Sequence, residues 1–196
     1  MTLIKICGIT ALEDALAACD AGADALGFNF WPRSPRYIRP ERAAQIIERL
    51  PGNVLAVGVF VDSAAEDIEA IAAAAGVEIA QLHGQCGVPR LRWWKALEAG
   101  PELRREMEQF EAEAFLVDAP AGAQRGGTGR TFDWQLVRGL PARIVLAGGL
   151  GPDNVREAIA AVRPWGVDAC SRLESAPGRK DAVRVREFIR AVRESE

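Results

Sequence analysis

Histidine is almost absent from this sequence, and so is any cysteine pattern typical of a metal site. Only His83 is present, and the four cysteines, Cys7, Cys19, Cys86 and Cys170, show no C-x-x-C spacing. Structural zinc sites need several thiolate or imidazole ligands at short, regular spacing. A reducing cytosol also disfavours disulfides. We therefore expect neither a metal centre nor structural bridges.

Long apolar runs and an excess of charge of one sign are also lacking. No stretch reaches the roughly eighteen apolar residues of a membrane span, and the first ten residues do not have the features of a secretory signal. Lys and Arg number 24 against 27 Asp and Glu, a formal net charge of −3. This balance gives no general attraction to nucleic acid or to an anionic membrane. We expect a cytoplasmic protein that binds a small molecule, and neither nucleic acid nor membrane as a partner.

The length and the apolar content together limit the number of domains. The chain has 196 residues, of which 49% are hydrophobic. This is enough for one sizeable core and too little for two independent ones. Because the composition does not change along the chain, we expect a single domain over residues 1–196.

Short runs rich in Val, Ile and Phe recur along the sequence, each followed by a turn signal and a segment with helical periodicity. This alternation is typical of a parallel sheet built from βα units. In the intervening segments apolar residues recur at i, i+3, i+4 and i+7, as in Ile68, Ile71, Ala72 and Ala75. Eight strands are predicted, over residues 3–7, 25–30, 54–61, 78–82, 91–97, 114–118, 143–147 and 167–170.

Eight βα units favour a closed (β/α)8 barrel, or TIM barrel, even though the chain is near the lower size limit of that fold. The fourth crossover is expected to be shortened, because residues 85–90 are too few for a crossover helix. Thr10 with Glu13 and Ser63 with Glu66 have capping-box spacing and predict where the first and third helices begin. An open doubly wound sheet is the alternative, but no G-x-G-x-x-G follows the first strand.

In such a barrel the active site lies at the carboxyl ends of the strands, so reactive residues there are candidates for function. The predicted strand ends hold a thiol, several polar side chains and two glycine or serine turns. They are Cys7, Gln81, His83, Lys95, Asp118, Gly148, Gly149, Asp168, Ser171 and Arg172.

Cys7 ends the first strand directly before Gly8 and a predicted helix. Backbone N–H groups and the helix dipole at such a position favour a thiolate, which is a candidate general base. Cysteine is more commonly a small buried hydrophobe, but the strand-end position favours the functional interpretation. Cys19 falls on an apolar helix face and is interpreted as a core residue.

Asp118 ends the apolar run 114–117, where the sixth strand is predicted to open into the site. Burial there would raise its pKa towards that of a general acid. A helix cap or a partner for a nearby basic group is an equally good interpretation of the residue alone. Cys7 and Asp118 are far apart in sequence, but a closed barrel allows them to face each other across its mouth.

The turns after the seventh and eighth strands are the usual phosphate site of these barrels. Gly148 and Gly149 let the backbone approach an anion closely, although a Gly-Gly pair alone also fits a simple tight turn. Glycines at 126–129 are interpreted as a lid, a backbone donor or a plain flexible loop. Arg36 lies in a proline-stiffened loop and is a candidate bidentate clamp for a carboxylate.

Several motifs resemble the phosphoribosylanthranilate isomerase family in order and spacing, and they cover nearly the whole chain. The most specific are Lys-Ile-Cys-Gly at 5–8 and Gln-Leu-His-Gly at 81–84. The others are Gly-Phe-Asn-Phe at 27–30, Ser-Pro-Arg-Tyr-Ile at 34–38, Val-Gly-Val-Phe at 57–60, Gly-Gly-Thr-Gly at 126–129, Phe-Asp-Trp at 132–134, Ala-Gly-Gly-Leu at 147–150 and Pro-Gly-Arg-Lys-Asp at 177–181.

The resemblance implies a (β/α)8 barrel and an aldose–ketose isomerase of tryptophan biosynthesis that needs no cofactor. The implied reaction is the Amadori rearrangement of N-(5-phosphoribosyl)anthranilate to 1-(2-carboxyphenylamino)-1-deoxyribulose 5-phosphate. It also implies that Cys7 is the base that removes the sugar C2 proton and that Asp118 is the acid that assists ring opening. The substrate-binding residues it implies are Arg36 for the anthranilate carboxylate and Gly148, Gly149 and Ser171 for the phosphate.

Two departures from the family pattern are visible. Where the family usually reads Asp-Val-Ser-Ser-Gly-Val-Glu, residues 168–174 read Asp-Ala-Cys-Ser-Arg-Leu-Glu, so Arg172 stands in place of a glycine. If this position needs a positive φ, arginine is strained there. Alternatively, the charge of Arg172 reaches the phosphate directly. Of the two orientations of the side chain, we expect the one that points outward. The other departure is the shortened segment after Gly84.

Two alternative functions are considered. The histidine-pathway aminoaldose isomerase runs the same chemistry on a similar barrel, but that family has an aspartate where this chain has Cys7. The alternative from another class is a barrel that binds a phosphorylated metabolite without converting it. The presence of Cys7, Asp118 and Arg36 together argues against this second alternative.

Overall fold

Eight parallel strands form the centre of the protein, here a computed structural model that describes residues 1–120 and 131–196. The strands are β1 (Leu3–Cys7), β2 (Ala25–Asn29), β3 (Leu55–Val61), β4 (Ile79–His83), β5 (Arg92–Glu98), β6 (Ala114–Asp118), β7 (Ile144–Leu146) and β8 (Gly166–Ala169). They pair in sequence order, and β8 pairs with β1 to close the ring. The predicted (β/α)8 barrel is therefore confirmed.

The helices are α1 (Leu12–Ala21), α2 (Pro40–Ile47), α3 (Ala65–Ala75), α4 (Leu103–Met107), α5 (Val155–Val162) and α6 (Ala182–Arg193). Both α1 and α3 end at a glycine with positive φ, Gly22 at 99° and Gly76 at 75°, a conformation that glycine adopts without strain. No helix among residues 1–120 and 131–196 is long and apolar enough to cross a membrane.

The connection between β4 and β5 contains no helix, as its short length predicts. Polar contacts instead join this connection to α3 and to the segment directly before it. Cys86 Sγ accepts a hydrogen bond from the Ser63 backbone N–H at 3.4 Å, and the Arg90 backbone N–H donates to Glu69 at 2.8 Å. These contacts tie the connection to the segment before α3 and to α3 itself.

The predicted capping boxes are wrong. Helix α1 begins after Ala11 and α3 after Ala64, and neither start has a side-chain cap. The Thr10 hydroxyl donates to the Gly178 carbonyl at 2.5 Å, which ties the loop after β1 to a hairpin near the end of the chain. The Ser63 hydroxyl donates to the Val61 carbonyl at 3.1 Å. Both hydroxyls are used for long-range or turn contacts, which the spacing pattern does not detect.

That hairpin was not predicted from the sequence. It consists of β9 (Glu174–Ala176) and β10 (Arg179–Lys180), joined antiparallel across Pro177 and Gly178. Gly178 has φ of 78°, so the turn needs a residue that tolerates the left-handed region. The hairpin returns the chain to the mouth of the barrel directly after β8.

Alternation along the strands separates two cores. One apolar cluster fills the inside of the barrel around the fully buried Trp94, and a larger one lies between the strands and the helices. In β1 the side chains of Ile4 and Ile6 belong to the outer cluster. Because successive side chains of a strand point to opposite faces, Lys5 and Cys7 point into the barrel. This alternation places a cation and a thiol in line inside the ring.

Candidate active site

A cavity of about 440 Å³ lies at the carboxyl ends of the strands, where the fold predicts the site. Cys7, Arg36 and Asp118, all named from the sequence, line it together with Gln81 and His83. An adjoining cavity of about 720 Å³ shares His83 and Asp118 and extends towards β5 and α4. The thiol and the carboxyl therefore face one enclosed space from β1 and β6.

Cys7 lies in a surrounding that favours its charged form. Its pKa is lowered to about 7, mainly by a hydrogen bond with the Cys170 thiol, which together with the positive charge of Lys5 outweighs the opposing effect of burial. Lys5 is fully buried and pairs with Asp168 at 2.7 Å. A side chain on Gly27 would approach Cys7 Sγ to 2.7 Å, so this glycine leaves room for the thiol.

The thiolate is not stabilised in the way the sequence suggested. The Gly8 and Ile9 backbone N–H groups both donate to the Gly27 carbonyl, at 3.0 and 2.9 Å. They are therefore not aimed at Cys7, and α1 begins only at Leu12. The expectation that the Gly8 and Ile9 N–H groups favour the thiolate is wrong, and side chains of β1 and of the segment after β8 lower the pKa of Cys7 instead.

Asp118 has the opposite electrostatic surrounding. Its pKa is raised to about 6, chiefly by burial, while a hydrogen bond from the Ala119 backbone N–H to Oδ1 at 2.7 Å acts in the other direction. Among the residues that the structure describes, no cation forms an ion pair with it. A carboxyl group in this state carries its proton over part of the range where enzymes work, as a general acid needs.

Arg36 reaches the cavity but is already held by a carboxylate of the protein. Its Nε and Nη2 donate to the two oxygens of Glu174 at 2.9 and 2.8 Å. Lys180, from the hairpin, donates to Glu174 at 3.0 Å. Burial opposes the charge of Glu174, but hydrogen bonds from Arg36 and the charge of Lys180 hold its pKa below the usual value. Any further carboxylate bound by Arg36 must share it with Glu174.

The predicted phosphate residues lie at the ends of β7 and β8, outside the lining of the 440 Å³ cavity. Gly148 and Gly149 have φ of 84° and 61°. A side chain on Gly148 would lie 2.6 Å from the Ala119 backbone nitrogen and 3.1 Å from Asp118 Oδ1. Gly148 is thus required both by its backbone and by its close approach to the carboxyl.

Two backbone N–H groups at this end of the barrel are free to bind an anion. Within residues 1–120 and 131–196, the N–H groups of Gly149 and Ser171 donate to no protein acceptor. The Gly149 carbonyl, in contrast, is turned away and accepts from Asn154 Nδ2 at 3.0 Å. The predicted glycines at 126–129 lie outside the described residues.

Arg172 does not occupy a strained position. It lies in a short 3₁₀ turn, and the only non-glycine residues with positive φ in the described chain are Asp62 and Arg163. The alternative in which a positive φ strains Arg172 is therefore excluded. Its guanidinium donates to the Gly149 carbonyl at 3.1 Å and to Asp153 at 2.7 Å. It lies along the β7 turn and fixes that turn from outside.

Gln81, His83 and Lys95 were named only as possible contacts. Gln81 Nε2 lies 2.8 Å from His83 Nε2, and Gln81 Oε1 is buried without a partner in the described part of the chain. An unpartnered buried acceptor beside a cavity is a suitable contact for a ligand hydroxyl. Lys95 lines the larger cavity, where it donates to the Gly84 carbonyl at 2.7 Å and lies over the Phe110 ring.

Sequence reasoning missed Lys5, Glu174 and Lys180 as members of the site. Lys5 had a usable signal, since a lysine two positions before Cys7 in a buried strand must share its face. Glu174 and Lys180 depend on the hairpin, for which only the Pro-Gly turn signal was present. No group of three or more His, Cys, Asp and Glu side chains in the described residues is arranged to hold a metal ion.

A (β/α)8 barrel with a thiol and a carboxyl lining one cavity at the carboxyl ends of its strands has the arrangement of an enzyme of this fold. Residues 4–191 match the family described as N-(5'phosphoribosyl)anthranilate (PRA) isomerase. Two relatives named N-(5'-phosphoribosyl)anthranilate isomerase are 49% identical, from Geobacter sp. (strain M21), and 50% identical, from Pelobacter propionicus. The matches cover 96% and 100% of this chain and 97% of each relative.

Solved structures agree with the sequence comparison. Phosphoribosyl anthranilate isomerase from Thermotoga maritima superposes with a TM-score of 0.90 at 40% identity, covering 99% of this chain and 100% of that one. A phosphoribosyl anthranilate isomerase in complex with reduced 1-(o-carboxyphenylamino)-1-deoxyribulose 5-phosphate has a TM-score of 0.86 at 38% identity, with the same coverage. The chain belongs to the N-(5'-phosphoribosyl)anthranilate isomerase family, and it is an isomerase of tryptophan biosynthesis.

Proposed function

We propose that Cys7 and Asp118 are the base and the acid with which this chain performs the reaction of its family, the Amadori rearrangement of N-(5'-phosphoribosyl)anthranilate. The observation that carries the assignment is the pair of opposed pKa shifts on one cavity. One group is adjusted to lose its proton more easily and the other to keep it. Acid and base roles are commonly separated in this way.

The reaction begins at Asp118. Its protonated carboxyl gives a proton to the ring oxygen of the sugar, the bond from that oxygen to C1 breaks, and the lone pair of the anthranilate nitrogen forms an iminium at C1. The positive iminium makes the C2–H bond acidic. Because burial keeps the carboxyl of Asp118 protonated, a proton is available for this first step.

The second step belongs to Cys7. Its thiolate removes the C2 proton, and the electrons of that bond form an enolamine and neutralise the iminium. Tautomerisation of the enolamine gives the C2 ketone of 1-(2-carboxyphenylamino)-1-deoxyribulose 5-phosphate. Lys5 and Cys170 stabilise the thiolate before the transfer. Side chains carry out both proton transfers, and the atoms of substrate and product are the same.

The charged ends of the substrate are assigned to two places on the rim. Arg36 has Nη1 left for the anthranilate carboxylate while Nε and Nη2 hold Glu174. The free N–H groups of Gly149 and Ser171 are assigned to the phosphate, since such groups at loop and helix starts bind anions well. A relative binds a phosphorylated ligand, and we extend this class of small molecule to the present chain.

The test is a turnover assay that follows the loss of phosphoribosylanthranilate fluorescence with the purified protein. We expect turnover that Asp118→Asn and Cys7→Ser each lower by about 10²-fold or more, while the exposed Asp20→Asn leaves it unchanged. Turnover of the histidine-pathway aminoaldose in place of this substrate would contradict the assignment. Tight binding without turnover would instead support a barrel that only binds its ligand.

A further inference from the structure

Cys170 is a second thiol beside Cys7, and the reaction above assigns it no chemical step. In the pairing of β1 with β8, Ile6 lies opposite Ala169, so the next positions, Cys7 and Cys170, are neighbours across the two strands. Adjacent strands lie about 4.8 Å apart, within the range of about 4.4–6.8 Å over which disulfides join Cα atoms. Both thiols line the same cavity.

The charges around the pair favour one thiolate next to one thiol. The pKa of Cys170 is raised well above its ordinary value, first by the hydrogen bond to Cys7 and then by burial. Lys180 Nζ lies 3.8 Å from Cys170 Sγ, and Lys5 and Arg36 complete a group of three cations around two carboxylates, Asp168 and Glu174. One further negative charge balances this group, and Cys7 supplies it.

A thiolate beside a thiol in a solvent-accessible cavity is the arrangement of a redox-sensitive pair. The other two cysteines lack it. Cys19 lies on α1 with its pKa raised by burial, and the Cys86 thiol donates to the His83 carbonyl at 3.2 Å.

We propose that Cys7 and Cys170 are an oxidisable dithiol, and that hydrogen peroxide converts it to a disulfide which reversibly switches the isomerase off. The Cys7 thiolate attacks a peroxide oxygen, the O–O bond breaks, and hydroxide leaves as water after taking a proton. The sulfenic acid formed is then attacked by the Cys170 sulfur. The S–S bond forms, the S–OH bond breaks, and water leaves with the Cys170 proton. Two electrons have passed from the two sulfurs to the peroxide.

The loss of activity depends on the proposed role of Cys7, but the disulfide does not. The purified enzyme is treated with hydrogen peroxide and examined by non-reducing peptide mass spectrometry, and activity is measured in parallel. We expect a cross-link between the peptides that contain Cys7 and Cys170, a loss of the mass of two hydrogen atoms, and a fall in activity of about tenfold or more that dithiothreitol reverses.

Two variants separate the pair from general oxidation. In Cys170→Ser, peroxide should take Cys7 on to the sulfinic acid, so the mass rises by two oxygen atoms and dithiothreitol no longer restores the rate measured before treatment. Cys19→Ser, which removes a thiol away from the cavity, should behave like the unchanged protein in both readouts.

Each contrary result has one meaning. If the unchanged protein gains oxygen without forming the cross-link, Cys170 does not resolve the sulfenic acid and the dithiol is refuted. If dithiothreitol restores Cys170→Ser as well as the unchanged protein, the reversible species is not this disulfide, and the proposal is again refuted. A cross-linked protein with full activity would confirm the disulfide, refute the switch and remove Cys7 from the role of base.

Discussion

The two sides of the barrel mouth shift the pKa of their reactive groups in opposite directions and by different physical means. On the β1 and β8 side, Cys7 lies within a dense group of charges that includes Lys5, Asp168, Glu174 and Lys180. On the β6 side, Asp118 is buried beside Gly148 and has no ion pair in the described residues. The first side lowers a pKa by charge and hydrogen bonding, and the second raises one by removing water.

The difference shows how a single fold brings the pKa values of a thiol and a carboxyl close to each other. An ordinary thiol titrates well above neutral pH and an ordinary carboxyl well below it. The values of about 7 for Cys7 and about 6 for Asp118 are much closer together. The pKa of Cys7 depends on several hydrogen-bonding and charged partners, whereas the pKa of Asp118 depends chiefly on burial. The following experiments test each side in turn.

The largest effect is expected from Cys7→Ser, which removes the thiolate that the surrounding charges stabilise. A serine hydroxyl is far too weak a base without an activating partner, so kcat should fall by about 10³-fold or more. Circular dichroism should show an unchanged fold, and Cys19→Ser serves as the matched control. Near-normal turnover by folded Cys7→Ser would show that the charged side does not create the base.

Asp118→Asn is the corresponding change on the apolar side. The amide keeps the shape of the carboxyl but cannot transfer a proton, so we expect kcat to fall by about 10²-fold with KM less affected. Steady-state kinetics on the purified variant measures both constants. An unchanged kcat would move the acid role away from β6.

The pH dependence of kcat/KM measures both sides together. The productive form needs Cys7 without its proton and Asp118 with its own. With a pKa of about 7 for the base and about 6 for the acid, this form is most populated near pH about 6.5. The rate should fall about tenfold per pH unit on either side of that region.

The two limbs have different causes. Below the maximum the loss comes from protonation of Cys7, and above it the loss comes from ionisation of Asp118. In Asp118→Asn the alkaline fall should therefore disappear from the residual rate. A profile that stays flat from acid to alkaline pH would contradict the opposed adjustment of the two groups.

Arg36→Met tests the rim of the charged side. In its proposed role Arg36 shares its guanidinium between Glu174 and the substrate carboxylate, so we expect it to contribute less to binding than a free clamp would. We expect KM to rise about tenfold with kcat nearly unchanged, since the carboxylate keeps its charge throughout the reaction. The exposed Arg49→Met is the control. A defect confined to kcat would show that Arg36 acts through Glu174 on Cys7.

The smallest effect is expected from Arg172→Ala, on the turn that joins the two sides. Its ion pair with Asp153 is largely exposed, and such pairs contribute about 0–1 kcal/mol. Inhibition by inorganic phosphate should weaken by no more than about threefold. Arg172→Gly should not raise the free energy of unfolding in denaturant titrations, because no positive φ is relieved. A clear gain in stability would contradict this.

The sequence predicted the strand positions well because each strand has a continuous apolar signal within its own residues. Strands β1 and β6 begin and end where the pattern places them, at Leu3–Cys7 and Ala114–Asp118. The ends of these two strands then placed Cys7 and Asp118 at the mouth of the barrel. The strand-end positions made Cys7 and Asp118 candidates for a base and an acid, the resemblance implied the step of each, and the cavity shows that the two groups face each other.

The partners of those groups could not be predicted in the same way. Arg36 and Glu174 are 138 positions apart, and their pairing exists only once the barrel has closed. The same is true of Lys180, which arrives on a hairpin whose two strands are too short to show alternation. Thr10 had a good local capping pattern, but its hydroxyl is used by Gly178, 168 positions away. Local patterns miss such contacts because tertiary structure decides them.

The short connection between β4 and β5 also bears on the order in which the chain folds. Ile79 pairs with Arg92 after a short segment, Ala25 with Leu55 after a longer one, and Leu3 with Gly166 only across most of the chain. Since the entropy lost on closing a loop grows with its length, β4 with β5 is the easiest pair to form and β1 with β8 the hardest. That last pairing brings Cys7 beside Cys170 and Lys5 beside Asp168. A half-folded chain therefore lacks the reactive thiolate, which arises only when the ring is complete.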